Sequence, residues 1–468
     1  MVRGLADAPA PVHERSFRDD ARTAALLLAV AIGIAARWWR LGARLYQYDE
    51  AFTAVVARRP LGGLIPFLRH NDSHPPLDYL IRAPFAHGGY DLFALRAPSA
   101  IFSTCALVLF AWWMRRRGWF GVLATFVMAI NGFQLLFGRE ARMYALLQLL
   151  GVIAAMVLAA WLEHPRRVHA VIIGVVVFIG AMDHASMLFF AVGFLVAART
   201  RRDRPAWEWR AGVVGGIAAW SAVWGPSFVV QARDDHASWI PPTSLDRIAI
   251  AGGRLVSLRS GPELLAFVVL VVGLLCLART HTDLGRLAMV AFVLPSALVA
   301  LCGVFVPILI ERTLTIGAWA PCLALAAIPA FAAKLGSRFA VAAVVVVMVI
   351  TVPSGIDVLT AKWPDDDVAR ALRSVAGPGD VVAIDPGGWA ALTDYGVASA
   401  LGGAQPVEID GLAPKTAFLV GHAQPTGRIW LATQFHQSSI AGDACGQSFR
   451  VGEFRIQCVR VEVVNASS

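Results

Sequence analysis

Charged residues are scarce in this sequence: Asp, Glu, Lys and Arg make up 16% of 468 residues, whereas hydrophobic residues make up 57%. The mean hydropathy of +0.62 is too high for a water-soluble protein of this size. Several stretches are long enough to cross a bilayer, which takes about 20 apolar residues each. The shortage of charge therefore excludes a soluble globular protein and predicts an α-helical polytopic membrane protein.

Other features are missing as well. The six cysteines show no metal-site spacing, and four of them lie in apolar stretches. Cys445 and Cys458 lie near the C-terminus, where a disulfide and two free thiols fit equally well. No glycine-rich phosphate loop follows a strand pattern, so a nucleotide site is not predicted. No small-residue cleavage site follows the first apolar run, and we expect no cleavable signal peptide.

Eleven apolar segments predict about eleven transmembrane helices. Arginine-rich loops follow the even-numbered segments, and such loops are typically cytoplasmic. The N-terminus is then cytoplasmic and the C-terminus extracytoplasmic, in a multi-pass protein of the cell membrane. The segments are 21–40, 95–114, 118–137, 143–162, 168–183, 185–199, 211–231, 263–279, 286–306, 313–333 and 338–355.

Three domains follow from this pattern: a cytoplasmic tail at 1–20, a membrane domain at 21–360 and an extracytoplasmic domain at 361–468. Residues 362–468 hold 8 basic and 11 acidic side chains, a net charge of −3, so the rest of the chain carries +12. Because the basic residues lie in short loops between spans, they favour a lipid bilayer over nucleic acid as partner. Alternating helix and strand patterns in the last domain predict a small α/β fold.

The first outer loop, 41–94, holds the acid pair Asp49 and Glu50 just after the first span. Charges next to lipid are costly, which makes them candidates for function. A carboxylate here can act as a general base, and partial burial would raise its pKa towards a useful range. A solvated pair at a helix end is the alternative. Between Arg58 and Asp72 the apolar residues have helical spacing, which predicts a helix on the membrane surface.

Further polar residues lie on the same predicted face. Asp72 and His74 precede a Pro-Pro pair that opens a helix, so they fit either a polar pocket or simple helix-start chemistry. Arg139 and Arg142 are three residues apart, which predicts that they share a helical face. Arginines at an outer turn suit an anionic phosphate, with Glu140 as a second acid, although a surface ion pair is the alternative. Arg312, in a later outer turn, is a second candidate for binding phosphate.

A divalent metal is a further possibility, because Asp49, Asp72, His74 and His236 carry suitable donor atoms, although the ligands are scattered along the chain. Asp234, Asp235, His236 and Trp239 together predict a loop over a sugar site or a merely solvated loop. The sequence therefore predicts no definite metal site and no cofactor.

Several motifs occur in a fixed order: the acid pair, HPPL in the same loop, LRAPSA opening the second span, REARMYAL after the third, and ERTL near the end. Together they resemble the GT-C glycosyltransferases of the protein O-mannosyltransferase and lipid A aminoarabinose transferase type, over roughly residues 20–360. The tail resembles the small extracytoplasmic domain of many bacterial members. Two positions depart from the family pattern, since Thr313 and Asp78 stand where aromatic residues are usual.

The resemblance implies a bacterial cell-envelope enzyme that takes a sugar from a polyprenyl-phosphate carrier. It would pass the sugar, with inversion, to a hydroxyl of a glycolipid, polysaccharide or protein outside the cytoplasm. Asp49 would be the base and Glu50 would orient acceptor or sugar. Positive charge would stabilise the leaving phosphate. The residues implied in substrate binding are Arg139, Arg142 and Arg312, with Asp72, His74, Glu140 and Tyr144.

Two other classes compete with this interpretation. A transporter or flippase of lipid-linked sugars should carry charges or helix breaks near mid-membrane. An assembly scaffold should not need Asp49. The polar motifs gather at one face and few charges lie within spans, which favours the enzyme.

Overall fold

A computed structural model of the chain describes residues 12–43, 48–86, 92–199, 203–233, 240–360, 371–372 and 374–384, and strands at 404–407, 417–420, 428–434, 443–451 and 454–460. Up to residue 360 the described chain is helical. By length and composition, six of its helices can cross a membrane, and up to nine segments can if each of three bent helix pairs is one span. The protein is therefore a mostly helical, multi-pass membrane protein.

The first span and the outer loop form four helices: α1 (Val12–Trp38), α2 (Tyr48–Ala57), α3 (Leu61–Asn71) and α4 (Leu77–Ala86). Helix α1 begins within the predicted tail, and its apolar part is Asp19–Trp38. Helix α3 confirms the helix predicted between Arg58 and Asp72. Its Leu64 and Leu68 are buried, whereas Leu61 is exposed, as expected of a helix with one packed face.

The next spans are α5 (Leu92–Met114), the bent pair α6 (Gly118–Ile130) and α7 (Gly132–Arg139), and α8 (Tyr144–Glu163). Asn131 causes the 50° bend between α6 and α7. Its side chain accepts a hydrogen bond from the Gln134 N–H at 3.1 Å and so caps α7. Its amide nitrogen donates to the carbonyls of Leu255 and Val256 at 3.2 and 3.0 Å. The chain therefore leaves α7 at a new angle, towards the outer loop.

The middle of the chain holds α9 (Arg167–Asp183), α10 (Met187–Ala197) and the bent pair α11 (Arg204–Val223) and α12 (Gly225–Gln231). The eleven predicted spans all coincide with helices or helix pairs, but α9 and α10 have only 17 and 11 residues. They fall outside the nine segments that are long and apolar enough to span a membrane. By length and composition the described chain thus holds six to nine candidate spans, and these two short helices account for the difference between nine and the predicted eleven.

The remaining membrane helices are α13 (Leu245–Arg254), α14 (Glu263–Thr280), α15 (Thr282–Ala288), α16 (Leu294–Cys302), α17 (Trp319–Ala332) and α18 (Ser337–Thr360). A π-helical turn at Met289–Val293 joins α15 to α16 as one span. A 3₁₀ segment at Glu311–Gly317 precedes α17 and meets it at 74°. This segment carries Arg312.

Helices α9 and α11 pack backbone to backbone. A Cβ atom built on Gly212 would lie 2.1 Å from the Ala170 carbonyl oxygen, and one on Gly216 would lie 2.4 Å from that of Gly174. Small residues are typical of membrane helix interfaces because they let two backbones approach. Gly215, on the same helix, meets nothing within 4 Å.

The C-terminal region contains a mixed sheet of six described strands, β1 (Val381–Ile384), β2 (Ala404–Val407), β3 (Ala417–Val420), β4 (Arg428–Gln434), β5 (Asp443–Val451) and β6 (Phe454–Arg460). Their order is β2-β3-β1-β4-β6-β5, and β1 pairs parallel only with β4. Four segments with strand patterns, DVVAIDP, TAFLVGH, RIWLATQF and FRIQCVRVEVV, correspond to β1, β3, β4 and β6, while the sequence pattern does not predict β2 and β5. The segment DDDVARALRSV, which has a helical pattern, lies largely outside the described residues.

Buried Asp380 ties the first strand region to β4. Its carboxylate accepts hydrogen bonds from Arg428 Nε at 2.9 Å and from the Trp430 indole at 3.1 Å. Cys458, on β6, is disulfide-bonded. The side chain of Cys445 lies outside the described residues. Cys105, Cys276, Cys302 and Cys322, in the membrane domain, are free.

Gly212→Ala should destabilise the protein, because its Cβ would collide with a backbone oxygen that cannot move without shifting α9. Overpacking of this kind costs about 1–3 kcal/mol. Gly215→Ala is the matched control, and there the higher helix propensity of Ala should leave stability equal or slightly higher. Thermal unfolding of both variants in the same detergent measures the difference. Equal melting temperatures would contradict the close packing of α9 and α11.

Candidate active site

The acid pair lies in the first turn of α2, where carboxylates interact favourably with the helix dipole. Successive residues on a helix point about 100° apart. Glu50 therefore turns inward and is 1% exposed, while the Asp49 carboxylate faces Arg312. The two acids that the sequence groups together have different partners.

Glu50 forms a buried, two-point ion pair with Arg96 of α5. The distances are 2.8 Å from Nε to Oε1 and 2.6 Å from Nη2 to Oε2. Glu50 Oε1 also accepts the backbone N–H of Ala141 at 2.7 Å, and Arg96 donates to the Leu41 carbonyl at 3.0 Å. This one carboxylate thus fastens α2 to α5 and to the turn after α7.

Asp49 pairs with Arg312, which also lies 3.4 Å from the Tyr144 hydroxyl. Two threonines of the 3₁₀ segment that carries Arg312 donate hydrogen bonds to backbone carbonyls within and just before that segment. Thr313 Oγ1 donates to the Ile310 carbonyl at 2.7 Å, and Thr315 Oγ1 donates to the Arg312 carbonyl at 2.6 Å. Thr313 therefore has a local structural role at a position where the sequence resemblance leads one to expect an aromatic ring.

The expectation of a raised pKa for Asp49 is wrong. Burial does act to raise the pKa of this carboxyl, but the positive charges of Arg142 and Arg312 outweigh it and hold the pKa below its ordinary value. Asp49 is consequently an ionised carboxylate at neutral pH. It can accept a proton, although only weakly while both arginines face it.

Arg142 lies at the centre of the site and is 3% exposed. Its Nη1 donates to Thr53 Oγ1 at 3.0 Å, to the Tyr79 hydroxyl at 3.4 Å and to the Asp49 carbonyl at 3.5 Å. Its Nε is buried and bonds to none of the described residues. Within the described part of the chain this guanidinium makes no ion pair. It is a buried cation held by neutral oxygen atoms.

Arg82 holds the backbone of the turn that carries Arg142. It is buried, it pairs with Asp78 one helical turn earlier in α4 at 2.9 Å, and it donates to the Arg142 carbonyl at 2.8 Å. Ser99 Oγ donates to the Glu140 carbonyl at 2.5 Å. The acid at position 78, unusual for the family, therefore balances a buried arginine.

Asp72 and His74 form a pair beside Arg142. The His74 Nδ1 lies 2.8 Å from Asp72 Oδ1, and the Tyr79 hydroxyl donates to Asp72 Oδ2 at 2.5 Å. Burial acts to raise the pKa of Asp72, but the neighbouring His74 and the hydrogen bonds bring it below its ordinary value. The His74 ring lies 5.2 Å from that of His184, at the end of α9. Both predicted residues therefore lie in the polar centre.

Glu140 is buried in the same turn. Burial, followed by repulsion from Glu50 and Asp49, raises its pKa to about 8. Glu140 is consequently a neutral acid at pH 7. It adds no charge to a centre that already holds two acids and two arginines.

Arg139 is separated from Arg142, so the prediction of a shared helical face is wrong. Helix α7 ends at Arg139, and Glu140 adopts an extended conformation, which breaks the helical spacing. Arg139 donates to the Trp39 carbonyl at the end of α1. The structure therefore brings together Asp49, Asp72, His74, Glu140, Arg142, Tyr144 and Arg312, with Glu50 behind them and Arg139 turned towards α1.

Sequence reasoning did not identify the residues that bind the predicted site residues and hold them in place. These are Thr53, Asp78, Tyr79, Arg82 and Arg96. The spacing of Asp78 and Arg82 by four residues was a usable signal for one pair. In the described residues no group of three His, Cys, Asp or Glu side chains is arranged to hold a metal. Asp234, Asp235, His236 and Trp239 lie outside the described residues.

Glu50→Gln should lower the melting temperature strongly, because it leaves Arg96 buried without a carboxylate. Removing one member of a buried ion pair costs about 3–5 kcal/mol. Glu140→Gln is the matched control: it replaces an acid that is neutral at pH 7 by a neutral amide of the same shape. Thermal unfolding in nanodiscs at pH 7 compares the two variants, and equal losses would contradict the different roles of the two glutamates.

Neither a protein-family model nor the sequence of a curated protein matches this chain. Solved structures do resemble its fold. ArnT from Cupriavidus metallidurans, solved bound to undecaprenyl phosphate, is 11% identical, with a TM-score of 0.53 over 92% of this chain and 97% of ArnT. The arabinosyltransferase EmbB from Mycobacterium smegmatis is 14% identical, with a TM-score of 0.42 over 71% of this chain and 33% of EmbB.

The ArnT similarity extends over nearly the whole of both chains, so it concerns the complete architecture and not one helical bundle. It agrees with the fold that the order of the sequence motifs implies. The chain shares the overall fold of ArnT.

Proposed function

We propose that this protein is a membrane glycosyltransferase that moves a sugar from a polyprenyl-phosphate carrier to an acceptor hydroxyl, with inversion. The observation that carries the proposal is Arg142, a buried guanidinium that contacts the Asp49 backbone carbonyl, whose Nε bonds to none of the described residues and whose charge acts on the Asp49 carboxylate. The fold similarity to ArnT, solved with undecaprenyl phosphate, supports a lipid-linked donor.

Arg142 suits a phosphate for energetic reasons. A buried charge is costly unless an opposite charge and hydrogen bonds compensate it. Thr53, Tyr79 and the Asp49 carbonyl supply hydrogen bonds, while the Asp49 and Asp72 carboxylates act on Arg142 without a direct ion-pair contact within the described residues. A phosphate monoester or diester would supply the charge and would also accept the hydrogen bonds of the unpaired Nε.

Asp49 is proposed as the general base. The acceptor oxygen attacks the anomeric carbon while its proton passes to the Asp49 carboxylate. The bond between that carbon and the phosphate oxygen breaks, and its electron pair stays on the phosphate, where Arg142 stabilises the developing charge. Because Asp49 is a weak base, the proton moves late, when the attacking oxygen has become acidic.

The other residues of the site have supporting roles in this proposal. Arg312 and Tyr144 close the site across from Arg142. Asp72 and His74 line the donor side, and Glu140 keeps the turn neutral. Glu50 fixes the helix that carries Asp49 instead of touching substrate, and Arg139 anchors the turn to α1.

We further propose that the site faces the extracytoplasmic side, with residues 1–20 in the cytoplasm, the membrane domain at 21–360 and residues 361–468 outside. The arginine-rich loops favour this orientation. The disulfide of Cys458 supports it independently, because such bonds persist in oxidising compartments. The acceptor is then a glycolipid, polysaccharide or protein of the cell envelope.

Asp49→Asn should abolish most transfer while the donor still binds. Loss of a general base typically reduces rates by about 10²–10⁴-fold. Membranes given a radiolabelled polyprenyl-phosphate sugar measure transfer of label to acceptors. Asp283→Asn, whose acid pairs with Arg117 away from this site, is the control and should transfer like wild type. Transfer by Asp49→Asn at the wild-type rate would rule out Asp49 as the base. Movement of intact donor across the membrane without transfer would favour a flippase instead.

Arg142→Gln should weaken binding of undecaprenyl phosphate about tenfold or more, because a charge-assisted contact to phosphate is lost. Binding to the purified protein in nanodiscs measures this directly. Arg338→Gln, an arginine at the start of α18 beside Phe339, is the matched control and should bind as wild type does. Unchanged binding by Arg142→Gln would remove the donor phosphate from this position.

A further inference from the structure

A cavity of about 220 Å³ lies between α13 and the segment that leads into the 3₁₀ turn. Pockets that enclose drug-sized ligands usually measure about 300–1,000 Å³, so this one fits a single small group. Its charged lining residues are Arg247, Arg254, Glu311 and Arg312, and Ile250 and Leu309 are among its apolar ones. Arg312 belongs to this cavity and to the Asp49 ion pair at the same time.

The sequence of α13 explains why two arginines meet there. Arg247, Ile250, Ala251 and Arg254 follow the i, i+3, i+4, i+7 pattern, so all four lie on one face of the helix. That face lines the cavity. The buried glycines of α13 face the other way, and Gly253 packs so closely on the Glu263 backbone that a Cβ would lie 2.1 Å from its oxygen.

The cavity carries excess positive charge. Arg254 pairs with Glu311 at 3.1 Å, and Arg312 pairs with Asp49. Arg247 makes no ion pair with any described residue. Three arginines and one carboxylate line the cavity, and with the Asp49 partner of Arg312 counted the excess is one positive charge, which is suited to an anion such as phosphate.

Resting on the proposed function, we propose that this cavity binds an anionic group of the phosphate class on the acceptor, and so selects acceptors that carry a phosphate near the attacking hydroxyl. Inversion requires the acceptor oxygen and the leaving phosphate on opposite sides of the anomeric carbon. Arg142 contacts Thr53, Tyr79 and the backbone carbonyl of Asp49, whereas Arg312 contacts the Asp49 carboxylate and borders the cavity. With the donor phosphate at Arg142, the cavity is the side from which the acceptor arrives.

Because Arg312 belongs to both the cavity and the ion pair with Asp49, acceptor binding changes the basicity of Asp49. A phosphate in the cavity competes with Asp49 for the guanidinium of Arg312. As the Asp49–Arg312 pair loosens, Asp49 becomes a better proton acceptor. An acceptor without the anionic group would leave this ion pair closed.

The test uses the full chain in nanodiscs, saturated with undecaprenyl phosphate so that the Arg142 position is filled. Radiolabelled inorganic phosphate is the probe for the cavity. Arg247→Gln and Arg254→Gln should each weaken phosphate binding about tenfold, whereas Arg247→Lys should retain part of it. Arg259→Gln is the matched control, since Arg259 lies just beyond α13, is half exposed and pairs with Asp357 at 2.7 Å outside the cavity.

Binding of undecaprenyl phosphate to the same variants separates the two sources of phosphate. Unchanged donor binding together with weakened phosphate binding supports an acceptor site. Donor binding that falls in Arg247→Gln assigns the cavity to the donor and overturns the inference. Phosphate binding that is the same in wild type and Arg247→Gln overturns it while leaving the proposed function intact. If wild type binds no undecaprenyl phosphate at all, the proposed function itself fails, and the acceptor site fails with it.

Discussion

The buried ion pair between Glu50 and Arg96 is the contact on which the geometry of the site depends. It joins residues 46 positions apart and, through the N–H of Ala141, a third segment as well. Isolated charges are too costly to leave at this depth, so neither partner can move without the other. The helix that carries Asp49 and the turn that carries Arg142 are thereby held in register with each other. The carboxylate proposed as the base is thus positioned by the buried one beside it.

Arginines with the same chemistry have different tasks around this contact. Arg96 and Arg82 each pair with a carboxylate and donate further hydrogen bonds to backbone carbonyls, so both arginines have a structural role. Arg312 faces a carboxylate but also borders a cavity. Arg142 donates its hydrogen bonds to neutral oxygens and acts on the Asp49 and Asp72 carboxylates without a direct ion-pair contact among the described residues. The balance of charge around each guanidinium, more than its position in a motif, indicates which ones are available to a substrate.

The sequence predicted features that depend on neighbours along the chain. All eleven apolar runs coincide with helices or helix pairs, and apolar spacing located α3. Prediction from the sequence failed where contacts between residues distant along the chain determine the structure. The pairing of Asp49 with Arg312 spans 263 residues, and no local pattern indicates that it would lower the pKa of Asp49.

The separation of Arg139 from Arg142 has the same kind of origin. It follows from the end of α7, which the three-residue spacing alone does not show. The β2 and β5 strands were missed because their sequences, AQPV and DACGQSFRV, lack a clean alternation of apolar and polar residues.

Helix α10 has a consequence for the bilayer around the protein. It has 11 residues, so at 1.5 Å per residue it is about 16 Å long, roughly half of a hydrocarbon core of about 30 Å. Its last residue, Ala197, is followed by the basic stretch ARTRR, which belongs at the water interface. Its first turn follows His184, beside His74. A helix of this length could connect the two faces of a membrane only where the bilayer is thinner or where a water-filled recess opens beside the protein.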